Sequence, residues 1–208
     1  MTNEIQQALA QAYSYQTYRE YVNTQWLAGK ATGHEQSEAL MHYTELNEVR
    51  MHRLDKTIQL EPKTRAAIQQ WDKKMLWLVL TEGWCADGAQ IIPILQKMAA
   101  ASTSIEFKLV FRDQNEALMQ QVLTNGAKAM PKLLVIDPEN FEILGQWGPR
   151  PQGAVALITN YKKEHGVVDD AAKAELQLWY FRDKGVEIQR EIVALMHQVL
   201  STSLQNQE

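Results

Sequence analysis

The first third of the chain carries apolar side chains at steps of three or four residues, the spacing of an amphipathic helix. The first such pattern consists of Ile5, Leu9, Ala12, Tyr15, Tyr18, Val22 and Trp26. A segment with two glycines, residues 28–33, ends this first helix. A second helix is predicted from residue 35 or 37 to about 60, and a short third helix, beyond Pro62, for residues 63–71. Helices alone are therefore expected before residue 72.

The middle of the chain changes to short apolar runs separated by helical patterns. Residues 75–80 form a continuous apolar run, as expected for a strand buried on both faces. Further strands are predicted at 105–111, 132–136 and 141–147, and helices at 87–100, 115–123 and 153–164. The last two strands flank a turn at 137–140 and form a hairpin. The order β-α-β-α-β-β-α needs right-handed parallel crossovers in its first half and an antiparallel pair in its second.

The last part of the chain, from residue 169 to about 202, returns to a helical pattern that Gly185 is expected to divide. Its apolar stripe consists of Ile188, Ile192, Leu195, Met196 and Val199. We expect this stripe to cover the sheet or the N-terminal helices rather than to join two chains.

Composition narrows the class of protein. The chain has 208 residues, 45% of them hydrophobic, which is enough for one well-packed core. Its net charge of −4 supplies no basic field, so nucleic acid is not expected as a partner. The N-terminus does not resemble a secretory signal, no apolar run approaches the ~20 residues of a membrane span, and one cysteine excludes an internal disulfide. These features predict a cytoplasmic protein that binds neither nucleic acid nor membrane.

The single cysteine, Cys85, lies where a predicted strand passes into a predicted helix. The exposed N–H groups at a helix N-terminus stabilise a thiolate and lower the pKa of a cysteine placed there. Asp87, in the first helical turn, suits the helix dipole but its charge opposes a nearby thiolate. Glu82 adds a second carboxylate close in sequence. This position therefore predicts a reactive thiol with acidic neighbours.

Two junctions resemble those of thioredoxin-like proteins. The sequence WCADG at 84–88 matches the Trp-Cys-x-x-Cys motif except at its last position, and AMPK at 129–132 matches the segment that carries a cis-proline. More narrowly, the chain resembles a bacterial thioredoxin-like subgroup with a TExWCxDxxQ motif. The matching segments are TEGWCADGAQ at 81–90, RDQN to LTNG at 112–126, MPKLL at 130–134 and WGPRP at 147–151. The resemblance covers roughly residues 74–165.

The resemblance implies an α/β fold of the thioredoxin type, with a central mixed four-stranded sheet flanked by helices. It divides the chain into a helical N-terminal extension at 1–72, a thioredoxin-like domain at 73–165 and a C-terminal helical extension at 166–208.

The resemblance also assigns roles. Cys85 would be the nucleophile, Trp84 would flank it, and Met130 with a cis Pro131 would position the substrate. The loop that carries Arg150 comes near the cysteine in this fold, so Arg150 is expected to supply compensating positive charge. Arg112, after the second strand, is a further candidate for that charge. Glu82, Asp87 and Gly88 complete the expected site.

Gly88 stands where thioredoxins carry the resolving cysteine. Cys85 therefore has no partner for an intramolecular disulfide, and a two-cysteine cycle is excluded for this chain alone. The sequence predicts monothiol exchange with protein or small-molecule thiols and disulfides, with glutathione or another small thiol as co-substrate and no bound cofactor. The Pro-x-x-x-Thr-x-x-Cys run of peroxiredoxins and the Cys-Gly-Phe-Ser motif of monothiol glutaredoxins are absent.

Two alternatives to monothiol exchange stay open at this point. In the first, Cys85 belongs to a binding or scaffold protein that has kept the fold and lost turnover, and the thiol only packs. In the second, Cys85 serves as a redox sensor whose oxidation links two chains as a homodimer.

The pairs Glu38/His42 and Glu48/His52 have the spacing of ordinary helix-surface contacts, and no metal site is predicted. Asn125-Gly126 is predicted to cap the C-terminus of a helix.

Overall fold

The computed structural model describes residues 1–205 and contains one mixed four-stranded sheet in that part of the chain. The strands are β1 (Met75–Thr81), β2 (Ile105–Phe111), β3 (Lys132–Ile136) and β4 (Ile143–Trp147). β2 pairs parallel with β1, β3 pairs antiparallel with β1, and β4 pairs antiparallel with β3. The spatial order is therefore β2-β1-β3-β4. All seven residues of β1 are buried, as the continuous apolar run predicts.

Helices cover both faces of the sheet. The N-terminal helices are α1 (Thr2–Ala10), α2 (Tyr15–Leu27), α3 (Glu38–Thr57) and α4 (Pro62–Gln69). Those between and after the strands are α5 (Ala86–Ala99), α6 (Glu116–Gln121), α7 (Gln152–His165), α8 (Asp170–Asp183) and α9 (Val186–Gln205). The predicted α/β fold, a mixed four-stranded sheet with helical extensions at both ends, is confirmed.

The two faces of β1 contribute to two separate hydrophobic clusters, because successive side chains of a strand point to opposite faces. Trp77 and Val79 belong to the larger cluster, with side chains from α2, α3, α5, α7, α8 and α9. Leu76, Leu78 and Leu80 belong to the smaller one, which α1 and α6 close. The central strands β1 and β3 are thus buried on both faces, and Cys85 follows the C-terminal end of β1.

The N-terminal pattern was expected to form one helix up to residue 26, and this prediction is wrong. The chain breaks between α1 and α2, where Tyr13 pairs in antiparallel fashion with Leu109 of the edge strand β2. The Tyr13 N–H donates to the Leu109 carbonyl at 2.8 Å, and the Leu109 N–H donates back at 2.9 Å. Ser14 then caps α2 by accepting from the Thr17 N–H. A long-range backbone pairing therefore interrupts a locally helical pattern.

Asn125 and Gly126 were expected to end a helix, and this prediction is also wrong. Helix α6 ends at Gln121. Asn125 and Gly126 instead occupy a two-residue turn, with φ values of 50° and 77°, between Thr124 and Ala127. The N–H of each of these two flanking residues donates to the carbonyl of the other at 3.0 Å. The Asn-Gly pair is thus used as in a tight hairpin, where both central residues need positive φ.

The C-terminal helices divide at Gly185, as predicted, and α9 packs on β4, α4 and α5. Four members of its predicted stripe, Ile188, Ile192, Met196 and Val199, are buried. The stripe thus covers the sheet and an N-terminal helix, as expected. The division of the chain at residues 72 and 165 stays a prediction, and the last three residues of the C-terminal extension lie outside the described residues. None of the helices in residues 1–205 combines the length and apolar content that crossing a membrane requires.

Candidate functional site around Cys85

Cys85 is the N-cap residue of α5, directly beyond the end of β1. Its Sγ accepts a hydrogen bond from the Gly88 N–H at 3.3 Å and donates to the Met130 carbonyl at 3.6 Å. The Met130–Pro131 peptide bond is cis. The side chain is only 7% exposed. The structure thus brings together three residues that the sequence assigned to one site, Cys85, Met130 and Pro131.

The surroundings of Cys85 keep its thiol protonated. Burial raises the pKa of Cys85 to about 12, and the negative charge of Asp87 adds to this effect. The N–H groups of Gly88 and Asp87 and the charge of Arg150 act in the opposite direction but do not compensate. A helix N-terminus alone was expected to lower this pKa; desolvation outweighs it here. At pH 7 the sulfur is a neutral hydrogen-bonding group.

Asp87 lies at the centre of a buried polar cluster. Its Oδ2 accepts from Arg150 Nε at 2.8 Å and pairs with Arg150 Nη2 at 2.7 Å. Its Oδ1 accepts from the Tyr180 hydroxyl at 2.8 Å. The loop that carries Arg150 does come near the cysteine, as the resemblance implied, but the guanidinium is paired with Asp87. Its positive charge mainly neutralises that carboxylate.

A cavity of about 800 Å³ lies over Cys85. Trp84, Cys85, Asp87, Met130 and Arg150 form one side of it. The other side consists of residues from α3 and α8, among them Leu40, Leu46, Arg50, Lys173, Ala174 and Leu176. The site is therefore flanked by helices from both extensions, which the sequence could not show.

Trp84 also contacts Thr32 and Arg112, which do not line the cavity. The indole Nε1–H of Trp84 donates to the Thr32 carbonyl at 2.9 Å. The Arg112 guanidinium lies 5.4 Å from the centre of the Trp84 ring and forms an ion pair with Asp113 at 2.7 Å. Arg112 was a candidate for a charge that compensates the thiolate; the structure pairs it with Asp113 instead. Its direct contact with the site is the cation–π contact with Trp84.

Glu82 is 1% exposed, and its Oε1 accepts from the Asp113 N–H at 3.0 Å. Burial is the main cause that raises its pKa. Glu82 therefore anchors the loop after β2 to the loop after β1. It supports the backbone before Cys85 rather than the sulfur itself.

The raised pKa of Glu82 predicts that the free energy of unfolding depends on pH. Below the ordinary carboxyl pKa, Glu82 is protonated in both the folded and the unfolded chain, and its ionisation costs no stability. As the pH rises through the pKa that Glu82 has in the folded chain, the folded state is destabilised by a buried negative charge. We expect E82Q to have a higher free energy of unfolding than the wild type at pH 7, with a smaller difference at pH 4. Denaturant unfolding at both pH values measures this. The control is E106Q, at an exposed glutamate, which should change the free energy of unfolding by less than about 0.5 kcal/mol at either pH. If E82Q is less stable than the wild type at pH 7, the buried charge of Glu82 does not destabilise the fold.

Sequence reasoning missed three polar residues of the site region. Thr32 is 4% exposed, and its hydroxyl accepts from the Gly83 N–H at 2.8 Å. Asn47 is 1% exposed, and its side-chain amide donates to the Gly83 carbonyl at 2.9 Å. Tyr180 is the third, through its bond to Asp87. No local motif marks these residues, because each acts through a contact more than 30 residues away along the chain.

No group of three or more His, Cys, Asp or Glu side chains within residues 1–205 is placed to hold a metal ion. His42 and His52 both lie on α3, and His42 lines the cavity over Cys85.

A comparison with known protein families identifies a thioredoxin match that includes Cys85 and the cis-proline segment. The thioredoxin family model matches residues 33–162. The chain belongs to this thioredoxin family. The match begins at residue 33, so it includes α3 and α4, which the sequence assigned to the extension. Proteins of the thioredoxin family normally work without a bound cofactor.

Solved structures share the fold over most of the chain. The structure resembles the 1.5 Å crystal structure of a protein of unknown function from Pseudomonas aeruginosa, with a TM-score of 0.57 and 18% identity, over 83% of this chain and 94% of that one. It also resembles an HIV epitope scaffold, with a TM-score of 0.56 and 18% identity, over 84% of this chain and 96% of that one. No curated protein matches the chain. At this level of identity the likeness concerns the fold alone.

Proposed function

We propose that this thioredoxin-family chain is a binding protein that holds a small molecule in the cavity over Cys85. The observation that carries the proposal is the position of α3 and α8 beside the thioredoxin-type site, which forms an open cavity of about 800 Å³. Small-molecule sites commonly have this size and a mostly apolar wall with a few polar groups. Leu40, Leu46 and Leu176 supply apolar wall here, and Arg50 and Arg150 supply polar groups.

The state of the thiol favours binding over turnover. Thiol–disulfide exchange requires a thiolate. With a pKa of about 12, the Cys85 thiol is almost entirely protonated at pH 7. Gly88 also leaves the chain without a resolving thiol. In the proposed function Cys85 contributes a protonated hydrogen-bonding group to the cavity wall.

Filling the cavity tests this proposal. Ala174 lines the cavity from α8 and is exposed, so A174W should block the cavity without disturbing the core. Ala171 is exposed on the same helix but does not line the cavity, which makes A171W the matched control. We expect members of a fragment library to bind the wild type and A171W in ligand-observed NMR, and binding to be lost in A174W. Binding that persists in A174W, or no binding to the wild type, would contradict the proposal.

Monothiol exchange is the second candidate, and the local geometry of the sulfur favours it. Cys85 Sγ has the N-cap position, the Gly88 N–H and the carbonyl before the cis-proline that a thioredoxin-type nucleophile uses. In such a reaction the Cys85 thiolate attacks one sulfur of a small disulfide and forms a mixed disulfide, releasing the other half as a thiolate. A second small thiol, as its thiolate, then attacks the substrate sulfur of the mixed disulfide. This frees Cys85 and yields a new small disulfide.

The pH dependence of alkylation separates the two candidates. For a protonated thiol with a pKa of about 12, the iodoacetamide rate should rise about tenfold per pH unit from pH 6 to 10 without a plateau. An exchange enzyme should instead reach its plateau below pH 8.5, the ordinary thiol range. D87N should react faster than the wild type at every pH, because the charge of Asp87 raises the pKa of Cys85. The unfolded chain in denaturant provides the reference for a free thiol.

Three finer predictions join this proposal on the basis of the sequence. The lone cysteine favours a reducing compartment, so a cytoplasmic location is part of it. The TExWCxDxxQ segment favours the bacterial subgroup of the thioredoxin-like proteins. A disulfide between two copies through Cys85, as in a redox sensor, would appear as a dimer on a non-reducing gel after peroxide treatment.

A further inference from the structure

The charged groups of the cavity are almost all paired with each other. Arg150 is paired with Asp87 at 2.7 Å, and Lys173 with Asp170 at 2.9 Å. Both carboxylates that line the cavity are therefore already neutralised by cations of the same wall. Arg50 is the exception among its arginine and lysine side chains.

Arg50 reaches the cavity from α3 and forms no ion pair within residues 1–205. Its Nη1 donates to the Asn47 side-chain carbonyl at 2.8 Å. The guanidinium is partly buried, and this desolvation is the main cause that lowers the pKa of Arg50. A guanidinium has five N–H donors in a planar fork, so most of this fork is left for a ligand.

Asn47 fixes Arg50 relative to the cysteine loop. The buried amide of Asn47 donates to the Gly83 carbonyl at 2.9 Å, while its own carbonyl oxygen accepts from Arg50. The Gly83 N–H is in turn held by the Thr32 hydroxyl at 2.8 Å. Gly83 is two residues before Cys85, so the arginine and the sulfur are attached to one hydrogen-bonded framework. A donor held in place in this way binds with less loss of side-chain entropy.

We infer that Arg50 binds the carboxylate of a small organic acid, whose apolar part lies against Leu40, Leu46 and Leu176. The inference rests on the proposed binding function and names the class of its ligand. Arginine pairs with a carboxylate through two parallel N–H bonds, which matches the unpaired fork. A phosphate dianion fits less well, because a single unpaired arginine balances only one of its two negative charges.

Calorimetry with a matched pair of probes tests this inference on the full chain. Hexanoate and hexanamide have the same apolar body, but only hexanoate carries a charge. The wild type should bind hexanoate at least about tenfold more tightly than hexanamide, since a hydrogen-bonded charged group contributes about 1.5–3 kcal/mol. R50M should lose this preference and keep its affinity for hexanamide. R53M removes a neighbouring charge of α3 that lies over Phe181, outside this cavity, and should keep the preference.

The outcomes separate this inference from the function on which it rests. Equal binding of the two probes by the wild type, or a preference that persists in R50M, overturns the carboxylate site and leaves a binding protein of another specificity. If neither probe binds to the wild type, but fragments bind to the wild type and not to A174W, the carboxylate site is overturned and the proposed binding function stands. If no fragment binds at all, both proposals fail.

Discussion

R150M is expected to lower the free energy of unfolding by about 2–3 kcal/mol. The substitution keeps an unbranched apolar side chain but removes the cation that pairs with Asp87, whose side chain is 10% exposed. Removing one partner of a buried ion pair typically costs about 3–5 kcal/mol, because the other charge stays buried. The expected loss is smaller here, since Arg150 is 30% exposed and Tyr180 still donates to Asp87. The same variant should alkylate more slowly at Cys85, because Arg150 lowers the pKa of that thiol.

Two further variants show whether the buried charge is the cause. R190M removes an exposed arginine from its pair with Glu61, and it should cost well under about 1 kcal/mol. D87N leaves the unpaired charge on Arg150, which is 30% exposed, instead of on Asp87, which is 10% exposed, so it should destabilise the chain less than R150M. Denaturant unfolding of the three variants measures these differences. An R150M chain as stable as R190M would show that the Asp87 pair contributes nothing to the fold.

G88C, which restores the Trp-Cys-x-x-Cys motif, is expected to destabilise the chain by about 2 kcal/mol. A Cβ atom at position 88 would lie 2.8 Å from Thr81 Oγ1 and 3.4 Å from the Cβ of Cys85. Thr81 is fully buried in β1, so it has little room to move. Overpacking of this kind typically costs about 1–3 kcal/mol. The second cysteine of a thioredoxin is therefore not only missing here; its space is occupied.

A double-mutant cycle with T81A tests this explanation. T81A removes the atom that the new Cβ would meet, so G88C should cost less in the T81A background than in the wild type. A coupling free energy of about 1 kcal/mol or more between positions 81 and 88 is expected for residues in such contact. Unfolding of the four chains under reducing conditions measures it without interference from a disulfide. Strict additivity would mean that the cost of G88C arises elsewhere.

The sequence predicts best the elements whose pattern comes from complete burial. The predicted strands 75–80 and 132–136 agree with β1 and β3 to within one residue, because a strand that is buried at every position leaves a nearly continuous hydrophobic signal. The break between α1 and α2 was missed since apolar spacing continues through it. Its cause is the pairing of Tyr13 with Leu109, a contact across almost a hundred residues that no local window contains.

The candidate site shows the same limit. Its centre could be predicted, because two short motifs of a known fold placed Cys85 beside Met130 and Pro131, and Arg150 in a loop nearby. The cavity wall could not, since helical spacing shows which residues face inward but not which helix they meet. Asn47 and Arg50 are polar residues on a mixed helix and give no signal of their own. Their function depends on the loop of Gly83, which only the folded chain brings to α3.

The two helices that flank the cavity over Cys85 come from different parts of the sequence: α3 precedes β1, and α8 follows β4. During synthesis from the N-terminus, the cysteine and the whole sheet leave the ribosome before α8 does. For the time needed to add about 90 residues, some 5–20 s at typical rates, the thiol lacks the cover that Leu176 and its neighbours provide. The Cys85 sulfur is therefore most accessible to oxidants in the nascent chain, and it gains its full cover only when the C-terminal helices pack onto the domain.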